Sequence, residues 1–445
     1  MKAFAITATL ATIAVACSES NPAAPPPPPP VPTVPTGTTV ETPPAPWSDA
    51  WILAQGAAFL DDTAARRAAL EAALTNHDNM YSRIRLAAYG LGDRGWDLLP
   101  VWNPRSMPVD ASLATELARG DMPAVSADRA PLWNGVTPTT MPEWIALGRR
   151  VFFEYPMRAE VFMEYGLTQP ALARDVGVQR TKTGDVPGLV VFANVDGETR
   201  VGITCAICHS NVKNGELVAG QARRSFDYGK LRVTYDRVHD TLRSEAEAKR
   251  MLSWGPGRAD VTEDDDEDPV AIPDLWGLRE QRWLTQAGTI RHESPLALAI
   301  RQETQLTDSN HALVRPPREL AWALAMYIYS LAPPSRAATP SPRGAALFEQ
   351  HCARCHANAA YGGNVVTAAS IGTDPALATG KGRGTGKYRV PGLLDVANGA
   401  PYLHHGAVAS LEELLSPART EPGHKPGTKL SADDRAALIA FLATL

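Results

Sequence analysis

The hydrophobic pattern divides the chain into segments of different character. Lys2 is followed by a mostly apolar run, Ala3 to Ala16, that ends at Cys17 and is too short to remain as a membrane span. From Asn21 to Pro46 apolar periodicity disappears into Pro, Thr, Val and Ala, with six prolines in a row from Pro25 to Pro30. Such a stretch packs no core and favours extended polyproline II, rising about 3.1 Å per residue. Residues 47–140 turn helical, most clearly over Ala64–Leu74, a run of strong helix formers. Further on, the run Leu189-Val190-Val191-Phe192 followed by the turn pair Asp196-Gly197 predicts a small β-hairpin.

The remaining pattern is written twice. Gly148-Arg149-Arg150-Val151-Phe152 finds a counterpart in Gly344-Ala345-Ala346-Leu347-Phe348. Ile272-Pro273 lies fifteen residues before Gly288 as measured from its proline, and Val390-Pro391 lies fifteen before Gly406. The apolar helix Ala323–Leu331 matches Ala437–Leu445. Three landmarks in one order predict a duplicated domain, 141–332 and 343–445, joined by a linker over 333–342. The first copy carries an insertion from about Pro156 to Val201, which holds the hairpin. The expected fold is therefore mainly α: two tandem domains plus an N-terminal helical segment, 47–140, whose Trp96, Trp102 and Trp133 read as core aromatics.

Cysteine usage gives the duplication its chemistry. Cys17 ends the leader, and the other four cysteines form Cys205-Ala206-Ile207-Cys208-His209 and Cys352-Ala353-Arg354-Cys355-His356, leaving none for a disulfide. In Cys-x-x-Cys-His one helical turn offers two thiols to the vinyl groups of a haem while the histidine ligates its iron. Two covalently bound haem c groups are expected, on Cys205, Cys208 and His209 and on Cys352, Cys355 and His356. A zinc or redox Cys-x-x-Cys would not call for a histidine after each pair.

The sixth ligand decides whether an iron only carries electrons or also meets a substrate. No methionine follows Met326, so the second haem has His404, His405 and His424 after its motif. His424, in the loop Pro422–Thr428 before the last helix, is the expected ligand, and His404 and His405 are assigned to a propionate or a supporting role. Counting back from the closing helices, His311 falls within one residue of the position matching His424, ahead of Met251 and His292 as a ligand for the first haem. Arg258, in the turn Trp254–Arg258, is expected to pair with a haem propionate. The acidic run Glu263–Asp268 offers hard oxygen ligands, either for calcium or as a solvated loop.

Charge excludes one partner class. With 43 Lys plus Arg against 48 Asp plus Glu and no basic block, the chain shows no footprint for nucleic acid. The leader reads as a signal peptide, and small residues ending at a cysteine resemble a bacterial lipobox. That resemblance implies cleavage before Cys17 and lipidation there, with Ser18 implying outer-membrane retention. Residues 1–17 would then be the leader and 18–46 a tether holding a periplasmic body; ordinary cleavage would release the same body into the periplasm.

From Val390-Pro391-Gly392-Leu393 through Ala400-Pro401-Tyr402-Leu403-His404-His405-Gly406 to Ser410–Leu414, the chain resembles bacterial di-haem cytochrome c peroxidases and their MauG-type relatives. The 147-residue separation of the two motifs is also similar to that family. The resemblance covers about 141–445 and implies two cytochrome c folds, one haem relaying electrons and the other reacting. Where peroxidases read Phe-Trp-Asp-Gly-Arg, this chain has Leu284–Gly288, so the bridging tryptophan is out of register, with Trp276 and Trp283 nearby. The family's methionine ligand is missing too, and the His424 loop is more similar to the rubber-oxygenase branch. The expectation is an oxidoreductase using peroxide or oxygen at the first haem, fed by a small redox protein or a quinol-linked donor. A pure electron carrier and a haem oxygenase acting on an apolar substrate are the alternatives.

Overall fold

The computed structural model describes residues 43–260, 262, 268–335, 339 and 341–445, and residues 44–445 form one compact unit. The expectations for the leader, Cys17 and most of the tether lie outside the described residues. The fold is mainly helical, 42% helix against 11% strand, so helix pairs rather than a sheet must position the motifs.

In chain order the elements that matter begin with α1 (Thr63–Ala73) and α2 (Met80–Ala88), capped by Asp62 and Asn79. The chain then passes through β1 (Ser106–Pro108) and, after a last short helix ending at Ala118, runs without regular structure to Thr140. The helical reading of 47–140 thus holds only as far as Ala118; beyond it Gly120, Pro123, Pro131 and Pro138 interrupt any helical register.

α3 (Met141–Glu154) starts in a full capping box between Thr140 and Glu143, and its stripe Met141, Trp144, Gly148, Val151, Phe152 is buried. β2 (Arg158–Ala159), β3 (Leu189–Ala193) and β4 (Thr199–Ile203) join β1 in an antiparallel sheet of order β1-β3-β4-β2. The hairpin expected around Asp196-Gly197 is β3–β4, in register Val191 opposite Val201. α4 (Cys205–His209) is the first motif, followed by α5 (Pro295–Ser309) and α6 (Arg318–Ser330). Residues Leu320 to Tyr329 of α6 are buried on every face, as befits a helix at the centre of the core. α7 (Pro342–His351) and α8 (Ala432–Leu442) frame the second motif.

The two matched helix pairs are built alike. A Cβ on Gly148 would fall 1.9 Å from the Ala323 carbonyl oxygen and 2.7 Å from the Tyr327 Cβ. One on Gly344 would fall 2.1 Å from the Ala437 carbonyl oxygen and 2.6 Å from the Phe441 Cβ. Each opening helix therefore crosses its closing helix at a distance that only glycine permits, at the positions the sequence repeat aligned.

The N-terminal segment belongs to the same core as the first half. Ile52, Phe59, Leu70, Tyr89 and Trp96 pack in one cluster with Trp144, Phe152 and Trp322, and Phe59 stacks on Trp322 at 5.6 Å. Trp102 meets Tyr155 and Phe192 edge-on, and Trp133 packs at the margin of the same cluster.

Candidate functional site

The first motif is a single capped turn: the Thr204 hydroxyl accepts from the Ala206 N–H at 3.3 Å, and Cys205 and Cys208 fall three residues apart on it. Gly188, at φ +95°, lets the chain before β3 pass close beneath, because a Cβ there would meet the Ile207 nitrogen at 2.2 Å. Behind the turn the buried Arg223 donates to the Ser210 carbonyl at 3.0 Å and the Pro187 carbonyl at 2.9 Å. The His209 Nδ1 lies 3.0 Å from the Pro273 carbonyl oxygen. That bond sets Nδ1 as the protonated nitrogen and leaves Nε2 with its lone pair, the form that ligates a metal. Burial pushes the His209 imidazole down to about 4, and pushes the thiols of Cys205 and Cys208 up to about 12 and about 11. Both thiols are thus neutral and the imidazole unprotonated at neutral pH.

The second motif follows α7 in consecutive turns, with the His356 N–H bonded to the Cys352 carbonyl at 3.0 Å. The His356 Nδ1 lies 2.7 Å from the Tyr361 carbonyl oxygen, and the Pro391 carbonyl also faces this ring. Pro391 is the repeat partner of Pro273, but the hydrogen bond on the second imidazole is to Tyr361, so each histidine is oriented by a backbone carbonyl of its own half and only the first by the proline. Burial lowers the His356 pKa and raises that of the Cys352 thiol to about 11, while Cys355 is exposed.

His424 stands where the sequence placed a second ligand. Its backbone is left-handed at φ 44°, a conformation uncommon for histidine, held by its N–H to the Ile371 carbonyl and by Arg419 donating to its own carbonyl. Burial pushes its imidazole down to about 4, and the charge of His356 acts in the same direction. The His424 Nδ1 is buried without a hydrogen-bond partner. An imidazole kept neutral by burial, with a ring nitrogen left over, suits an iron ligand.

The other candidates separate. His404 stacks on Tyr388 at 4.0 Å and on His405 at 4.3 Å, and the His405 Nε2 lies 3.0 Å from Glu421. With Arg258, Asp268 and Asp374 they line a polar cleft of about 300 Å³, where Arg258 reaches the His405 carbonyl at 3.4 Å. His292 is fully buried with both ring nitrogens engaged, Nδ1 to the Gln281 carbonyl at 2.7 Å and Nε2 to the Tyr329 hydroxyl at 2.6 Å. Met251 packs with Val233, Ala248 and Trp254. His311 is exposed, at φ 56° in the turn after α5. Most of the acidic run considered for calcium, 263–267, lies outside the described residues, and among the described residues no group of three or more His, Cys, Asp or Glu is arranged to hold a metal ion.

Residues that the sequence did not single out join the two halves. Arg224 donates to the Ile272 carbonyl and the Gly399 carbonyl, each at 3.0 Å, and pairs with Asp274 at 2.9 Å. Gln286 donates to the Ala271 carbonyl at 3.0 Å while its own backbone carbonyl accepts from the Arg389 N–H at 2.9 Å. Trp276 is buried with its indole N–H on the Ala219 carbonyl, and Trp283 lies under Arg291. In the sequence Gln286 stands two residues before the repeat landmark Gly288, whereas Arg224 stands beside no landmark.

Among known proteins, the cytochrome c family model matches residues 341–445. A solved structure of a MauG-like protein associated with microbial copper homeostasis is similar at 20% identity, over 43% of this chain and 78% of that one, with a TM-score of 0.31. No curated protein matches. Residues 341–445, with Cys352, Cys355 and His356 on their turn, carry a cytochrome c domain and with it the haem binding and electron transfer that such a domain implies.

Proposed function

We propose that the chain is an exported di-haem c-type oxidoreductase, in which the second site relays electrons and the first presents an open face to an oxidant such as peroxide or oxygen. Haem c, when bound, supplies one-electron chemistry at each motif. The observation that carries the reading is the repeated construction. Each half combines a glycine helix crossing, Gly148 on Ala323 and Gly344 on Ala437, with a Cys-x-x-Cys-His histidine whose Nδ1 meets a backbone carbonyl, Pro273 for His209 and Tyr361 for His356. The protein's part at the second site is to hold His356 and His424 neutral. At the first site it holds His209 from one side, and the exposure of His311 supports an opposite side without histidine. Export, with Cys17 as a lipid anchor to the outer membrane, and a small redox protein or quinol-linked donor complete the proposal.

Mass spectrometry of the protein made in a host with cytochrome maturation tests it first: two added porphyrin masses are expected, and one would reduce the chain to a mono-haem cytochrome. Electron paramagnetic resonance then separates the classes. One high-spin and one low-spin ferric signal support the oxidoreductase, whereas two low-spin signals in the resting and half-reduced protein would make it a pure electron carrier. The His424→Ala variant is expected to convert the low-spin signal, and an unchanged spectrum would remove His424 as a ligand.

A further inference from the structure

His424 stands in a segment whose composition forbids regular structure. Between the short helix Leu411–Leu414 and α8 the chain reads Ser416-Pro417-Ala418-Arg419-Thr420-Glu421-Pro422-Gly423-His424-Lys425-Pro426-Gly427, and its prolines and glycines break any helix or ladder. The backbone carbonyls of such a segment have to find their donors one by one.

Arg419 meets a whole row of them. Its Nη1 donates to the Glu421 carbonyl at 2.7 Å and to the Pro422 carbonyl at 3.4 Å. Its Nη2 donates to the Gly423 carbonyl and, at 3.0 Å, to the His424 carbonyl. Four consecutive carbonyls thus converge on one guanidinium, and the backbone that curls around it is left-handed at Gly423, φ 87°, and at His424, φ 44°. A planar fork with several fixed N–H directions suits such a curved row of acceptors, whereas a compact ammonium does not span it.

The curled loop rests on residues 371–373. The His424 N–H reaches the Ile371 carbonyl at 3.0 Å, and a Cβ on Gly423 would lie 2.6 Å from the Thr373 Cβ and 2.9 Å from its nitrogen. The Glu421 carboxylate adds a tie to the His405 Nε2 at 3.0 Å. These contacts each fix one point of the loop, and Arg419 fixes its whole course from 421 to 424. Without the cation, four carbonyl oxygens would face a common centre with no donor in it, and the loop would open to reach water.

We infer that Arg419 is the positioning residue of the second site, shaping the loop that presents His424 to the haem iron. This rests on the reading of His424 as the ligand, and it goes beyond that reading by setting control of the sixth position in a side chain outside the haem-binding turn.

The test uses the full-length matured protein and compares wild type, His424→Ala, Arg419→Gln, Arg419→Lys and Glu421→Gln. Pyridine haemochrome content and cooperative unfolding in denaturant show which variants are loaded and folded. Spin state is read by electron paramagnetic resonance, and access to the second iron by titration with imidazole, which wild type as the closed state and His424→Ala as the open state bracket. In Arg419→Gln the second haem is expected to take up imidazole about tenfold or more tighter than in wild type, the scale of one lost charge-assisted bond, with part of its low-spin signal turning high-spin before imidazole is added. Arg419→Lys should fall between these two. Glu421→Gln keeps the row of carbonyls and should stay close to wild type. A loaded, folded Arg419→Gln with the spin state and imidazole affinity of wild type overturns the inference, and so does an equal change in Glu421→Gln. If Arg419→Gln does not fold, Arg419→Lys decides, and wild-type behaviour there overturns it. Failure of the ligand reading has its own signature: His424→Ala would leave the low-spin signal unchanged, and the role of Arg419 would fall with it.

Discussion

The two halves of this protein share a frame and differ in what closes it. Both cross an opening and a closing helix at a glycine, both hang a Cys-x-x-Cys-His turn beside that crossing, and both orient the histidine through a backbone carbonyl. The second half carries His424, its Nδ1 buried, in its own loop before the closing helix. In the first half α1 and α2 pack against α5, where Tyr81 and Arg85 line a small cavity with Arg301. A frame that fixes the proximal side thus leaves the opposite side free to differ, and that opposite side separates a relay from a reactive centre.

The comparison breaks first at the thiols. Replacing Cys205 and Cys208 by Ser is expected to remove one haem and leave the other, and the same exchange at Cys352 and Cys355 should do the reverse. Pyridine haemochrome content would show whether the halves load independently. Next come the glycine crossings. Gly148→Val and Gly344→Val each force a side chain against backbone and should cost about 3 kcal/mol or more of unfolding free energy, read by denaturant titration. A marked difference between them would mean that the two crossings are less alike than their geometry.

Acid separates the halves more gently. Burial lowers the His292 pKa from its ordinary value of 6.5 to about 4, so the fold favours the neutral ring. Stability from this group is therefore fully present above pH 6.5 and lost as pH falls toward 4, by about 3 kcal/mol at most. His292→Gln, which does not titrate, should flatten unfolding free energy over that window while lowering it at neutral pH. The smallest effect is expected at His311. His311→Ala should leave the optical and resonance spectra of the first site unchanged, and a shift to high spin would show that this exposed imidazole reaches the iron after all.

Much of this was legible in the chain itself because covalent chemistry and close packing constrain single positions. Cys-x-x-Cys-His needs its residues on one turn, and a helix crossing that excludes a Cβ needs glycine, so both motifs and the Gly148/Gly344 landmarks stood out without a fold. His424 was expected as a ligand because no methionine followed Met326 and its loop precedes the last helix. His311 was misleading because counting along a sequence preserves spacing but not direction. At φ 56° the turn after α5 leaves that side chain in solvent. Arg258 was expected at a propionate, and the structure sets it in the polar cleft with His404, His405 and Glu421.

What the sequence alone determined is local: two Cys-x-x-Cys-His turns, a repeated helix pair and the hairpin between β3 and β4. Only the tertiary structure decided which distant side chains face each other. It put Arg224 and Gln286 across the junction of the halves, and it packed a motif-free segment against α5, with Tyr81, Arg85 and Arg301 around one small cavity. The physical reason is range. Capping, turn chemistry and thiol spacing act within a few residues, whereas a cavity's charge is the sum over segments that meet only after the core has formed.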